Sequence, residues 1–364
     1  MPVGDVDTPA LLLDLDAFDR NLRKMAEVSR RTGVRVRPHT KTHKCPVIAM
    51  KQIELGAVGQ CCQKVGEAEI LVAGGVRNVL VSNEVVGDRK LLRLAALARD
   101  AEIGLCVDAP EQVEAAGRAA REFGVELAAL VEIDVGMTRC GVAPGEPAVA
   151  LAKQIAATRG LRFGGLQAYH GTAQHLPTWG EREAAIAIAV EKTRATVAAL
   201  AAAGLACPIV GGAGTGTFQF ESTSGVYNEL QVGSYVFMDT DYARIGGKTS
   251  NRYDEFDHSL FVLATVMSRP TADRAVVDAG LKSYSMEKGV PWVHGLDDVE
   301  VTGVSDEHGR LRVGAGAKPL KLGDKVWLIP GHCDPTVNLH DWYVGVRNGR
   351  VEALWPIAAR GCSH

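Results

Sequence analysis

Eight consecutive residues, Arg37-Pro38-His39-Thr40-Lys41-Thr42-His43-Lys44, bring two imidazoles, two ammonium groups and a guanidinium together. Like charges held close make each ammonium harder to protonate. A neutral lysine amine is the form that attacks a carbonyl to make a Schiff base. The same residues also fit a solvated basic loop that touches phosphate or only aids solubility. A second stretch, Gly211-Gly212-Ala213-Gly214-Thr215-Gly216-Thr217, follows an apolar run. Backbone N–H groups freed from side-chain bulk make an anion cradle. This one has neither the Lys-Ser/Thr ending of a P-loop nor the G-x-G-x-x-G spacing of a dinucleotide fingerprint. A small phosphate suits it better, with a flexible turn as the plainer alternative. A phosphate cradle opposite an activatable lysine is what pyridoxal 5′-phosphate needs.

A third stretch runs from Gly331 to Trp342 and contains His332, Cys333 and Asp334. At i, i+2 in an extended segment, His332 and Asp334 point to one side. Imidazole plus carboxylate suits a divalent ion of intermediate hardness, with water filling the other positions. Cys333 would point away; turned inward it would favour zinc. The plainer alternative is a surface loop in which Asp334 caps a turn before Pro335.

Positioning these groups requires a regular frame, and the chain alternates strand and helix patterns. Strands are expected at Val34–Arg37, Val58–Gln63, Val79–Asn83, Ile103–Asp108, Leu127–Asp134, Phe163–His170, Pro208–Gly212 and Leu230–Met238. Helical patterns lie between most of them, the longest over Thr178–Ala203. This alternation fits a (β/α)8 TIM barrel, with a doubly wound open sheet as its rival. Polar residues gather where these strands end: His39 and Lys41, Gln63 and Lys64, Asn83 and Glu84, Asp108, Arg139, Tyr169 with His170, and Asp239. A barrel places its active site at that end. After about Tyr242 short strand-like pieces and turn signals predict an all-β domain. The run Ala10–Leu13 precedes the first helix and is expected to pair with that domain. The expected division is a barrel over 15–245 and a β domain made of 1–14 plus 246–364.

Composition narrows the function class. Lys+Arg is 40 and Asp+Glu is 43, a net charge of −3, which gives no reason to expect nucleic-acid or anionic-membrane binding. No apolar run reaches the ~18 residues that span a bilayer. The first residues lack a signal-peptide pattern, and no pair among the eight cysteines has C-x-x-C spacing. Reduced thiols and a cytoplasmic location are the expectation.

Asp7-Thr8-Pro9-Ala10-Leu11, the Arg37–Lys44 stretch, Gln167-Ala168-Tyr169-His170-Gly171, Gly211–Gly216 and Gly331–Leu339 together resemble the D-threonine aldolase and D-serine dehydratase group. These are fold-type III pyridoxal-phosphate enzymes, distantly similar to alanine racemase, and the resemblance runs from about Asp7 to Gly361. It implies Lys41 as the Schiff-base lysine, Arg139 beside the cofactor's phenolic oxygen and Tyr169 lining the ring pocket. Gly214 and Thr215 would bind the phosphate, helped by Gly233, Ser234 and Tyr235 on the eighth strand. His332 and Asp334 would hold a metal. The dehydratase branch has Cys where Asp334 stands, with zinc; the carboxylate here implies the aldolase branch and manganese, with zinc or magnesium as alternatives. His175 is a candidate for proton transfer.

The implied reaction is retro-aldol cleavage of a D-β-hydroxy-α-amino acid, with D-threonine giving glycine and acetaldehyde. A D-3-hydroxyaspartate aldolase and a D-serine or D-3-hydroxyaspartate dehydratase are the alternatives. An amino-acid racemase and a non-catalytic pyridoxal-phosphate carrier are more remote ones. The resemblance also implies a homodimer.

Overall fold

The computed structural model describes residues 1–364. They form two compact units, one of Lys24–Lys41, Cys45–Gly233 and Gly361–His364, the other of Met1–Arg23, Thr42–Lys44 and Ser234–Arg360. Strand β1 (Ala10–Asp14) leads into helix α1 (Leu15–Thr32). Asp14 starts that helix by accepting the N–H groups of Asp16 and Ala17 at 2.9 and 3.1 Å.

The larger unit then alternates as β2 (Arg35–Val36), α2 (Pro46–Glu54), β3 (Gln60–Cys62), α3 (Val65–Ala73), β4 (Asn78–Glu84), α4 (Asp88–Leu97) and β5 (Glu102–Val107). It continues as α5 (Pro110–Phe123), β6 (Leu127–Glu132), α6 (Glu146–Ala157), β7 (Leu161–Gln167), α7 (Trp179–Ala202), β8 (Ile209–Gly212), α8 (Phe218–Ser222) and β9 (Glu229–Leu230). The eight strands are parallel, in the order β2-β9-β8-β7-β6-β5-β4-β3. A parallel bridge between His39 and Cys61 joins the two ends of that path into a ring.

Local signals explain the elements. Strand β6 is buried along its whole length, as a strand must be between helices and a filled interior. Helix α5 has Pro110 in its first turn, where no N–H is needed, and ends at Gly124 with φ 65° in the left-handed region. Helix α7 opens on a reciprocal cap in which Thr178 Oγ1 accepts the Glu181 N–H and Glu181 accepts the Thr178 N–H. Inside the ring Cys61, Leu80, Cys106 and Leu130 pack as one small apolar layer.

The eighth strand is shorter than the sequence pattern predicts. The last backbone bonds are from Gln231 N–H to Gly212 O at 2.7 Å on one side and from His39 N–H to Val232 O at 2.9 Å on the other, so Gly233 already lies beyond the strand. Ser234–Val236 is a 3₁₀ turn, with the N–H groups of Phe237 and Met238 both bonded to Ser234 O. Those donors are spent locally and cannot enter a ladder. Ser234 and Tyr235 therefore stand on a turn and not on a strand.

The second unit adds α9 (Thr240–Ala243), β10 (Leu260–Thr271), β11 (Arg274–Val277), β12 (Trp292–His294), β13 (Val299–Val304) and β14 (Gly309–Val313). It ends with β15 (Lys325–Ile329), α10 (Cys333–Val337), β16 (Trp342–Arg347) and β17 (Arg350–Pro356). Its sheet runs β13-β14-β11-β10-β1-β16-β17, with β15 pairing both β10 and β12. The N-terminal strand is central, antiparallel to β10 and parallel to β16. Leu12, Phe261, Leu263, Ile329 and Val346 form a core there. Strands β12 and β14 are not evident from the sequence; β14 begins at Gly309, within a stretch that reads as a turn. No helix is long and apolar enough to cross a membrane.

Candidate active site

The Arg37–Lys44 stretch is shared between the two units, and Lys41 is the last of its residues in the barrel unit. Lys41 lies in a turn just past the end of β2, half-buried. His39 shapes that turn: its Nδ1 accepts the Lys41 N–H at 3.3 Å, and its Nε2 lies 2.9 Å from Gln63 Nε2 and 3.1 Å from Ser82 Oγ. Lys44, the other lysine of the stretch, belongs to the second unit, where its carbonyl accepts the Ala359 N–H at 3.0 Å. His43 is tied there too, by the Tyr343 hydroxyl on its carbonyl at 2.7 Å.

The glycine loop follows β8, and only β9 separates β8 from β2 in the ring. Ala213 takes φ 69°, the left-handed conformation that turns successive N–H groups into an anion-binding concavity. Gln174 fills the space behind the loop. A Cβ on Gly214 would come within 2.5 Å of its Oε1, and one on Gly216 within 2.3 Å of its carbonyl oxygen. Gln174 Oε1 also accepts the Gly216 N–H, and its Nε2 donates to Thr217 Oγ1. Thr215 is buried. Backbone in a concave turn, backed by an amide, with a half-buried lysine at the end of a strand two places along the ring, fits a phosphate-bearing aldehyde. Gly233 closes the barrel unit; Ser234 and Tyr235 open the next stretch of the other unit, with the Tyr235 ring 5.5 Å from that of Phe256.

Arg139 and Tyr169 stand at the same end, beyond β6 and β7. The guanidinium carbon lies 5.8 Å from the centre of the Tyr169 ring, and Nη2 lies 3.5 Å from Glu132 Oε1. Asp134 shapes the loop that presents Arg139, accepting the N–H groups of Gly136 and Thr138. These bonds hold its carboxyl below the usual range. Gly136, at φ 143°, is pressed against His170, whose Nε2 would lie 2.7 Å from a Cβ there. Burial and Lys192 lower the pKa of His170. His175 ends the 3₁₀ turn Thr172–His175 after β7 and is exposed.

The third motif differs locally from its sequence reading. Residues Cys333–Val337 are helix α10, not an extended segment, with His332 as the preceding residue. Pro335 falls in the first turn, where a missing N–H costs nothing, so it favours this start. His332 and Asp334 therefore stand at a helix start, as the residue before it and its second residue, and not on one face of a strand. Glu287 accepts the His332 Nδ1–H, which leaves Nε2 with its lone pair for a metal ion. The Cys333 thiol donates to Asp334 Oδ1 at 3.4 Å, so the sulfur serves the carboxylate. Asp239 braces the turn, accepting the Cys333 N–H at 2.9 Å and the Tyr242 N–H at 3.0 Å. A carboxylate-oriented imidazole with neighbouring carboxylates fits a divalent ion of intermediate hardness.

Sequence reading alone missed Gln174 and Glu287. Gln174 lies four residues past His170 and could have been noticed as the only amide in that loop. Nothing in the spacing announces Glu287, which meets His332 through tertiary folding. Glu84 was visible as a polar strand end, whereas Glu132 fell inside the expected strand Leu127–Asp134, and their meeting was not legible.

Comparisons with known proteins agree with this frame. Residues 13–241 match the alanine racemase N-terminal domain, and residues 259–346 match a serine dehydratase domain. The chain is 48% identical over 365 residues to the 3-hydroxy-D-aspartate aldolase of Paracoccus denitrificans (strain Pd 1222), covering 99% of this chain and 94% of that one. It is 47% identical over 365 residues to the D-threonine aldolase of Arthrobacter sp, covering 100% and 95%. The crystal structure of D-threonine aldolase from Filomicrobium marinum superposes with a TM-score of 0.97 at 50% identity, covering 100% of this chain and 98% of that one.

Proposed function

This chain belongs to the D-threonine aldolase and D-serine dehydratase family, built on an alanine racemase N-terminal domain, and from that footing we propose that it is a lyase cleaving D-β-hydroxy-α-amino acids by a retro-aldol reaction. The observation that carries this reading is Lys41 at the end of β2, with only β9 between that strand and β8, which the glycine loop follows. Pyridoxal phosphate, when bound, supplies the electron sink for breaking the Cα–Cβ bond, and a divalent ion supplies acidity to the β-hydroxyl.

The chain's own residues do the rest. Lys41 holds the cofactor's aldehyde carbon, and the backbone at Gly214 and Thr215 holds its phosphate, with Gly233, Ser234 and Tyr235 assisting. Arg139 faces the ring oxygen, and the Tyr169 ring walls the pocket. His332 Nε2 and the Asp334 carboxylate hold the ion, for which manganese is the best match to one imidazole and one carboxylate. His175 accepts the β-hydroxyl proton. The aldehyde leaves, a proton is delivered to Cα, and glycine is released.

D-Threonine is the proposed substrate. D-3-Hydroxyaspartate is the second reading, favoured by the likeness to the Paracoccus aldolase along 99% of this chain. The proposed protein is a cytoplasmic homodimer.

Product analysis tests the reaction class. Incubated with D-threonine or D-3-hydroxyaspartate and manganese, the enzyme should yield glycine with acetaldehyde or glyoxylate. Ammonia with an oxo acid would make it a dehydratase, and loss of Cα chirality without cleavage a racemase. Thorough chelation should cut cleavage to below ~1% while the visible absorbance of the bound cofactor stays. Activity that survives metal removal would contradict the role given to His332 and Asp334.

A further inference from the structure

Glu84 is the last residue of β4 and Glu132 the last of β6. Strand β5 lies between them. The two side chains meet above it, with an oxygen of each and the Cys140 Sγ all within 4.8 Å of one another. Both Glu84 oxygens and Oε2 of Glu132 are buried and have no hydrogen-bond donor. The fourth oxygen, Glu132 Oε1, is the one 3.5 Å from Arg139. One guanidinium therefore faces two carboxyl groups.

Two carboxylates at this range in a buried place do not both ionise. A proton retained by the pair also supplies the donor that the orphaned oxygens lack, and an unsatisfied buried acceptor is costly. A divalent cation on the same oxygens would sit against the Arg139 charge, whereas a proton leaves the charges matched. Other titratable groups facing the pair add no charge: Cys106, on β5, is pushed well up by burial, and Cys140 is pushed up to about 11 by burial and by Glu84, toward which its weakly donating thiol is turned. Cys61, below Cys106 in the interior layer, is raised by burial as well. All three thiols stay neutral near neutral pH.

We propose that Glu84 and Glu132 share a single proton beside Arg139, so that the pair carries one negative charge matched to one guanidinium and positions that guanidinium for the cofactor ring. The destination of Arg139 rests on the function proposed above; the shared proton does not.

Infrared difference spectroscopy between neutral and alkaline pH reads the proton directly, because a protonated carboxyl has its own carbonyl band. Either Glu84→Gln or Glu132→Gln alone should remove the pair's band, since the glutamate left behind ionises against Arg139. Glu221, buried and pushed up to about 7, contributes a band that neither change moves. Loss of the band in only one of the two variants would mean that one carboxyl is protonated by burial alone. No loss in either would mean two carboxylates, or a bound cation. Both outcomes overturn the proposal.

Charge counting gives the second arm. Each single variant keeps one negative charge, so it should lower kcat by about threefold and leave the pH profile of the cofactor's absorbance in place. The double variant removes the last negative charge and should lower kcat by more than about thirtyfold, beyond the product of the singles, while shifting that profile. Additive effects would overturn the shared charge. A protein that takes up no cofactor would refute the functional reading, and the infrared arm would still decide the proton.

Discussion

Two of the barrel's arginine–glutamate pairs, one toward each end, are built differently. Arg37 Nε donates to Glu229 Oε1 at 2.8 Å, with the side chains 5% and 0% exposed, and Nη1 donates to Asn78. Glu229 and Asn78 are the first residues of β9 and β4, so this guanidinium is directed to the end where strands begin. Arg139 lies 3.5 Å from Glu132, its own side chain 41% exposed, at the end where strands finish. The first pair is closed off from solvent, with Arg37 bonded to both Glu229 and Asn78. The second leaves much of the cation available to something else. The same two residue types thus lock the frame at one end and present a charge at the other, as the division between stability and catalysis in such barrels leads one to expect.

Substitutions at the two ends should separate these roles. Lys41→Ala has the largest expected effect, lowering cleavage by at least ~10³-fold while leaving the urea denaturation midpoint in place. Arg37→Ala should do the reverse. It strands Glu229 in the interior and should cost about 3–5 kcal/mol of stability by urea denaturation, with cofactor bound per folded molecule unchanged. Arg139→Ala should reduce kcat by ~10²-fold and cost less stability than Arg37→Ala, because Arg139 is 41% exposed and the acid pair left behind can take up a second proton. A loss of stability equal to that of Arg37→Ala would erase the contrast.

The smallest effect is in the pH dependence. Burial, then Glu84, pushes Glu132 up to about 8. Its folded pKa is thus raised above the unfolded value, so between the two the folded state binds more protons. Stability contributed by this group therefore declines as pH rises from the ordinary carboxyl range toward 8. Glu132→Gln should flatten that decline, gaining on the parent protein across the window. A stability curve parallel to the parent's would show that Glu132 titrates normally.

The features that were legible in the sequence are those encoded in contiguous residues. Lys41 after a short strand, the glycine run after an apolar one, and the alternation that makes the barrel all depend on local spacing, and the central place of Ala10–Asp14 in the second sheet agrees with its apolar run. Features set by competition or by register were not legible. Cys333–Val337 became a helix because Pro335 fits a first turn, and Ser234–Val236 became a turn because Ser234 O collects two N–H groups. The acid pair depends on Glu84 and Glu132 ending strands that flank β5, which no window of sequence contains.

The most direct test concerns a single nitrogen. The coloured protein would be treated with borohydride, digested and mapped by mass spectrometry. The predicted result is the reduced cofactor on the peptide bearing Lys41. Attachment to Lys44 or Lys64, or no attachment in a protein that still cleaves D-threonine to glycine, would contradict the account.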